Sequence, residues 1–383
     1  MAEKPTLDTK LYKAGESLAL SMRDLLEYFT KFGSLRVTDM HLKAGSAPAY
    51  RVDGKLQRLK GPPLDEPTVR GLAGAILNDS RLEALERDRS VDGSYLGPTM
   101  QFRLNCFYES DGIALAVRAL EAEPVEVDQI GFPNNVWREI LDKQWGLVLV
   151  TGITGAGKST TIASLITRIA RTKPCRIITL EDPVEYRLKG GAAMVSQREV
   201  GRDVPSFARG LRDCLREDPD VIYVGEMRDR ESATWTLTAA ETGHLVFGTI
   251  HASSASSTVG RILDLFPADM HTALRSALVF NMRGIVAQKL LPSIKEGVQR
   301  VPTVEIMTFN PTVRKLILEA EDEKLSDAIG INAEEGMQSF TMSLKQLVDD
   351  DLIDRATAFE VAPNPEALKM ALKGIEVSES GML

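Results

Sequence analysis

Gly146-Leu-Val-Leu-Val-Thr-Gly-Ile-Thr-Gly-Ala-Gly-Lys-Ser-Thr160 is the stretch whose reading decides the fold. Its first six residues form a nearly continuous apolar run, the mark of a strand covered on both faces. The next eight satisfy G-x-x-x-x-G-K-[ST]. Beyond them Ile162, Leu165, Ile166 and Ile169 recur at helical spacing over Thr161–Ala170. A strand, a glycine-rich loop and a helix in that order form the context in which this pattern cradles phosphates. The glycines let successive backbone N–H groups turn inward, and the helix N-terminus adds positive potential. Gly152, Ile153, Thr154, Gly155, Ala156, Gly157, Lys158, Ser159 and Thr160 are thus expected to bind ATP. Lys158 would reach the β- and γ-phosphates, and Ser159 would ligate Mg²⁺.

Downstream, Arg176-Ile-Ile-Thr-Leu180, Val221-Ile-Tyr-Val224 and Leu245-Val-Phe-Gly-Thr-Ile250 repeat the short apolar run, separated by helical segments. This predicts an α/β domain with a parallel sheet. In such a sheet the strand ends share one ligand-binding edge. The first of these runs ends in Glu181-Asp182-Pro183-Val184-Glu185, the second in Gly225-Glu226, and the third in His251, with His244 just before it. Many P-loop enzymes end the acidic strand in an Asp; here Gly225 holds that position. The acidic work therefore falls to Glu226 with the Glu181 and Glu185 cluster. Bland readings stand beside these: Glu181 and Asp182 as helix caps or partners of Arg187, and His244 as a structural histidine. His41 and His271 keep the structural reading.

Upstream, residues 1–20 read as a loose or helical leader. Leu18, Met22, Leu25, Leu26 and Phe29 suggest a helix over Leu18–Phe32. Short strand-like runs follow at Asp39–Leu42, Ala49–Val52, Gln101–Tyr108 and Ile113–Leu120, with a turn at Asp53-Gly54 and a helical stretch over Val69–Leu85. Residues 21–120 therefore form a small α+β domain, and 121–135, with Pro124, Gly131 and Pro133, a linker. The ATPase domain covers 136–375. Its part from about 268 to 375 reads mostly helical, on stripes such as Leu274, Leu278, Met282 and Ile285.

The 383 residues suit two or three domains, and the composition is that of a soluble globular chain, 43% apolar and 26% charged. A net charge of −8 gives no long-range attraction to phosphate backbones, which weighs against a nucleic-acid motor. Cys106, Cys175 and Cys214 form no C-x-x-C pair, so neither a disulfide framework nor a zinc site is expected, and reduced cytosolic thiols fit. There is no signal-peptide core and no membrane-spanning run.

Four boxes resemble the secretion ATPase superfamily of type II secretion and type IV pili (GspE/PulE-like), and within it the pilus retraction ATPases of the PilT/PilU type. They are the P-loop; Ile178–Tyr186, similar to the family's Asp box; Leu215–Asp229, similar to its Walker B box; and Ala240–His251, similar to its His box. Thr38–Leu42 with Arg51–Gly54 resembles the family's first domain. The likeness spans roughly residues 20–370. It implies a smaller PAS-like α+β domain joined to a RecA-like P-loop ATPase domain with C-terminal helices, assembled as a homohexamer. Glu226 would polarise the attacking water, Glu181 and Glu185 would support Mg²⁺ and water, and His251 with His244 would sense the γ-phosphate. Arg103 and Arg118 match arginines that reach the nucleotide from the first domain; two ordinary surface arginines remain the plain alternative. The resemblance further implies a cytoplasmic ring held at the inner membrane by a pilus platform protein, with a paralogous pilus ATPase as a further partner and no nucleic acid.

Lack of a tetracysteine insertion favours the retraction branch over secretion and assembly ATPases. Thr272–Leu278 is close to a retraction motif, whereas Val279-Phe-Asn-Met-Arg283 departs towards the PilU branch. The leading expectation is a motor that drives pilus retraction and twitching motility. An accessory ATP-binding ring subunit and a secretion or assembly ATPase stay open.

Overall fold

The parallel sheet expected around the P-loop is present and larger than the four runs announced. The computed structural model describes residues 4–30, 37–97, 100–120 and 123–375. The chain divides into two compact units. The first comprises Met1–Glu123, Asp182–Arg187 and Arg198–Ser206; the second comprises Pro124–Glu181, Leu188–Gln197 and Phe207–Leu383. Two short segments downstream of the P-loop thus cluster with the N-terminal residues, which a contiguous division of the sequence does not anticipate.

In the first unit the expected leader is neither loose nor helical over its described residues. Strands β1 (Tyr12–Lys13) and β2 (Ala19–Leu20) pair antiparallel. Tyr12 is buried and donates its hydroxyl to Pro62 O at 2.9 Å. Helix α1 is shorter than its apolar stripe, Met22–Glu27, because Ser21 and Asp24 form a capping box that fixes its start. Leu18 lies outside it and is exposed, and Lys31 and Phe32 fall outside the described residues. Strands β3 (Val37–Lys43), β4 (Ala49–Val52) and β5 (Lys55–Arg58) follow. Asp53 and Gly54, both left-handed (φ 47° and 77°), turn β4 into β5, as a two-residue hairpin requires.

The single helix expected over Val69–Leu85 is two, α2 (Glu66–Ile76) and α3 (Asp79–Asp88). Asn78 breaks the run by capping the second helix, its side chain accepting from Arg81 N. Strands β6 (Ser90–Leu96), β7 (Gln101–Glu109) and β8 (Gly112–Leu120) complete a six-stranded sheet in the order β5-β4-β3-β8-β7-β6, antiparallel throughout. Met40, Leu42, Leu104 and Val117 lie on one face, in one core with Leu25 of α1 and Leu72 of α2.

The second unit opens with α4 (Val136–Leu141), β9 (Gly146–Thr151), α5 (Lys158–Thr172) and β10 (Arg176–Glu181). It continues with β11 (Met194–Glu199, its last two residues clustering with the first unit), α6 (Phe207–Cys214), β12 (Val221–Val224), α7 (Arg230–Glu241), β13 (Leu245–Ile250) and α8 (Ala255–Leu263). Every residue of β9, β12 and β13 is buried, as strands covered on both faces must be.

The largest departure from the sequence reading lies beyond residue 268. Helix α9 (His271–Asn281) ends where Met282 turns extended, and two long strands follow, β14 (Met282–Pro292) and β15 (Arg300–Thr308). Met282 and Ile285 therefore belong to a strand, not to the helical stripe of Leu274 and Leu278. The tertiary partner explains it: β14 runs parallel beside β9, so Ile285-Val-Ala287 is a buried-strand run. The sheet is seven-stranded, β11-β10-β12-β13-β9-β14-β15; the steps from β10 to β14 are parallel and β14 pairs with β15 antiparallel. Helices α10 (Pro311–Leu318), α11 (Leu325–Ile331), α12 (Phe340–Asp349), α13 (Arg355–Val361) and α14 (Pro365–Ala371) close the unit. Leu344, Ala358 and Leu368 share a small core with Leu291 and Val301 of the two added strands.

Candidate nucleotide-binding site

The P-loop leaves the carboxyl end of β9 and enters α5. Gly152, Gly155 and Gly157 have φ of 150°, 81° and 88°. A Cβ on Gly152 would lie 2.4 Å from Gln288 O, and one on Gly157 2.7 Å from Gln288 Nε2. The turn is thus closed to larger residues by backbone conformation and by close approach. Gly157 provides no side-chain cap for α5, a 15-residue helix whose amino end carries the partial positive charge that suits an anion. Lys158 Nζ folds back on the loop, donating to Gly152 O (2.9 Å) and Ile153 O (3.1 Å). This cradle fits a nucleotide polyphosphate.

Three strand ends meet the loop on the same edge, because β10, β12, β13 and β9 are parallel and in register: Leu180 is paired with Val224, Val224 with Gly248, and Ile250 with Thr151. Glu226 follows β12, and its carboxylate is held on both sides. His251 Nε2 lies 3.0 Å from Oε1, and Arg228 Nε donates to Oε2 at 2.6 Å. The other nitrogen of His251, Nδ1, lies 3.2 Å from Gly152 O. Both neighbours of the imidazole are acceptors, so it donates to both only when doubly protonated. His251 thus ties the acid to the first glycine of the P-loop.

Gly225 also has a packing reason. A Cβ there would press on Leu180 O at 3.1 Å and Glu181 Cα at 3.2 Å, both backbone atoms of the neighbouring strand. The tight approach disfavours a side chain here, and the acid stands one residue further on.

Glu181 is buried at the end of β10; its Oε1 accepts from Thr179 Oγ1 (2.6 Å) and Gln197 Nε2 (3.1 Å). Glu185, expected beside it, clusters instead with the first unit, where its Oε1 lies 3.5 Å from Arg103 Nη1. Among the described residues no three His, Cys, Asp or Glu side chains gather as a metal-binding group. His244 needs the firmest correction. It precedes β13, whose Leu245 pairs with Gly146 at the start of β9. It therefore sits at the amino edge, about 20 Å along a six-residue strand from His251. There its Nδ1 lies 2.9 Å from Ala239 O and 3.1 Å from Thr242 Oγ1, closing the turn after α7.

Arg103 and Arg118 are directly opposed on β7 and β8, on the face of the first unit's sheet away from its core. Arg118 Nε donates to Asp39 Oδ1 at 2.7 Å, and both arginines keep much of their side chains exposed.

Sequence reading missed Gln288. It is almost fully buried on β14, donates from Nε2 to Ala156 O (2.7 Å) and accepts at Oε1 from Thr161 Oγ1 (2.7 Å). One side chain thus braces the P-loop and the first turn of α5. A lone amide inside the apolar run Ile285-Val-Ala-Gln-Lys-Leu-Leu291 was the available signal. Thr151 was missed as well: its hydroxyl donates to Ile250 O (2.9 Å) and accepts from Ala252 N (2.8 Å), pinning the end of β9 to the end of β13.

A phosphate loop with an acid and a histidine drawn to it, all on the carboxyl edge of a mostly parallel sheet, defines a RecA-like P-loop ATPase. The chain belongs to the type II/IV secretion system protein family, whose profile matches residues 38–341. It is 40% identical over 348 residues to the type IV pilus retraction ATPase PilT of Pseudomonas aeruginosa, covering 91% of this chain and 99% of that protein. To the type IV pilus ATPase PilU of the same organism it is 32% identical over 340 residues, covering 88% of each. The crystal structure of the pilus retraction motor PilT with bound ADP superposes with a TM-score of 0.80 at 42% identity, covering 90% of this chain and 98% of that one. The overall identity is thus higher to PilT than to PilU.

Proposed function

We propose that this chain is the ATP-hydrolysing subunit of a hexameric motor that retracts a type IV pilus and so drives twitching motility. The observation that carries it is the link Gly152–His251–Glu226, which couples the phosphate loop to a carboxylate at the next strand edge; near full-length similarity to a retraction ATPase supports it. The N–H groups of the loop and of the first turn of α5 hold the phosphates, and Lys158 offsets their charge. Ser159 would hold the Mg²⁺ that accompanies the nucleotide, an ion that would offset phosphate charge, and Glu181 would serve as a buried acceptor. Glu226, oriented by His251 and Arg228, takes up the proton of the attacking water. Arg103 and Arg118 remain candidates for the nucleotide from the first unit, in this or a neighbouring subunit, and Glu185 acts as the partner of Arg103.

Among the described residues no helix is long and apolar enough to cross a membrane. Independently of that, the retraction reading implies a cytoplasmic ring held at the inner membrane by a pilus platform protein.

The test is Glu226→Gln. It should lower kcat by about 10²- to 10⁴-fold, the usual size of a lost acid–base group, while nucleotide affinity changes little. In cells it should leave surplus, non-retracting pili. A wild-type hexamer no more active than the variant would sink the motor reading. The departure at Val279–Arg283 favours one second reading, an accessory ATP-binding ring subunit. Full rescue of a deletion strain by the Glu226→Gln allele would select it.

A further inference from the structure

Away from the P-loop edge, the second unit contains a cavity of about 550 Å³ lined by α4 and the residues just before it, the start of β14, the end of β15 and the first turns of α10. Two half-buried arginines line it, Arg283 and Arg314. Their guanidinium groups meet at one oxygen: Arg283 Nη1 donates to Met282 O at 3.2 Å and Arg314 Nη2 to the same atom at 3.4 Å. Arg283 also donates to Trp145 O and Phe280 O and lies 3.9 Å over the Trp145 ring; Arg314 donates to Phe309 O. Among the described residues neither arginine pairs with a carboxylate. Burial and the neighbouring Arg314 hold the Arg283 guanidinium below its usual range, and burial does the same to Arg314.

A purely structural role accounts for part of this. The carbonyl bonds close the bend between α9 and β14. They leave Arg283 Nη2 and Arg314 Nη1 without a protein acceptor among the described residues, and two like charges side by side and partly desolvated. Such a pair favours an anion that can accept from both guanidinium groups. We propose that the cavity binds the phosphate group of a small polar phosphate monoester.

Two separate guanidinium groups suit a dianion with three oxygens, whereas a planar carboxylate is satisfied by one fork. The volume lies within the range of small-molecule sites. Asn134, Asn135 and Thr308 supply neutral polar groups on the wall. The exposed Glu139, Glu334 and Glu335 also line the cavity and would repel an extended polyanion, so the ligand carries one compact anionic group and is otherwise neutral or hydroxylated.

The test is titration calorimetry on the full-length protein with its P-loop saturated by Mg-ADP, so that phosphates are not read at the ATP site. The probes are glycerol 3-phosphate, inorganic phosphate and citrate. Glycerol 3-phosphate should bind once per chain and more tightly than citrate. Arg314→Gln should weaken it about tenfold or more, the scale of a lost charge-assisted hydrogen bond. Arg283→Lys keeps the charge but not the fork, and should weaken it several-fold with the fold intact; it decides the matter if Arg314→Gln fails to fold. Three results overturn the proposal: no binding of glycerol 3-phosphate up to about 10 mM, unchanged affinity in folded variants, or preference for citrate. Inorganic phosphate binding as tightly as glycerol 3-phosphate would overturn the ester as the recognised ligand.

Discussion

The two edges of the parallel sheet carry one histidine each, flanking the same strand β13, and they do different things. At the carboxyl edge His251 bridges Glu226 and the carbonyl of Gly152. At the amino edge His244 closes a turn against Ala239 O. Six strand residues separate a histidine that meets the phosphate loop from one that closes a turn. What tells them apart is strand direction, since parallel strands gather their loops' functional groups at one edge alone.

That contrast can be broken in a graded series. His251→Ala should have the largest effect: the acid loses its orienting partner, and kcat should fall about tenfold, less than removing the acid itself. Steady-state ATPase assays on the intact ring check it. Gln288→Ala tests the floor under that edge. It leaves Ala156 O and the Thr161 hydroxyl buried without a partner, at a cost of about 1–3 kcal/mol. Thermal unfolding should shift downward and KM for ATP should rise; an unchanged KM would mean that the brace does not shape the loop. His244→Ala should have the smallest effect, with kcat and KM within about twofold of wild type and a stability loss of about 1 kcal/mol, because only turn bonds are removed. A loss of activity equal to that of His251→Ala would erase the distinction between the edges.

The strands that end in chemistry were legible because strands buried on both faces read as continuous apolar runs. Gly146–Thr151, Val221–Val224 and Leu245–Ile250 have the bounds at which the structure places them. Beyond Leu278 that legibility fails. Met282 and Ile285 lie at helical spacing from Leu274 and Leu278, and the choice between strand and helix rests with β9, a partner more than a hundred residues away. The site divides in the same way. Lys158, Glu226 and His251 could be read from a motif and from strand ends. His244 precedes β13, so the direction of that parallel strand already puts it at the amino edge, away from the loop, whereas the place of Glu185 is hidden because Asp182–Arg187 clusters with the first unit. Gln288 and Arg228 act through contacts with segments remote in the chain or with a side chain two residues away, and no spacing rule flags either.

The burial of Gln288 has a mechanical consequence. Successive residues of a strand point to opposite faces, and the next residue, Lys289, donates to Val361 O at 2.8 Å, at the end of α13. One peptide step on β14 therefore joins the floor of the phosphate loop to the C-terminal helices. Two adjacent side chains on opposite faces of β14 thus tether the phosphate loop and the end of α13 to a single strand.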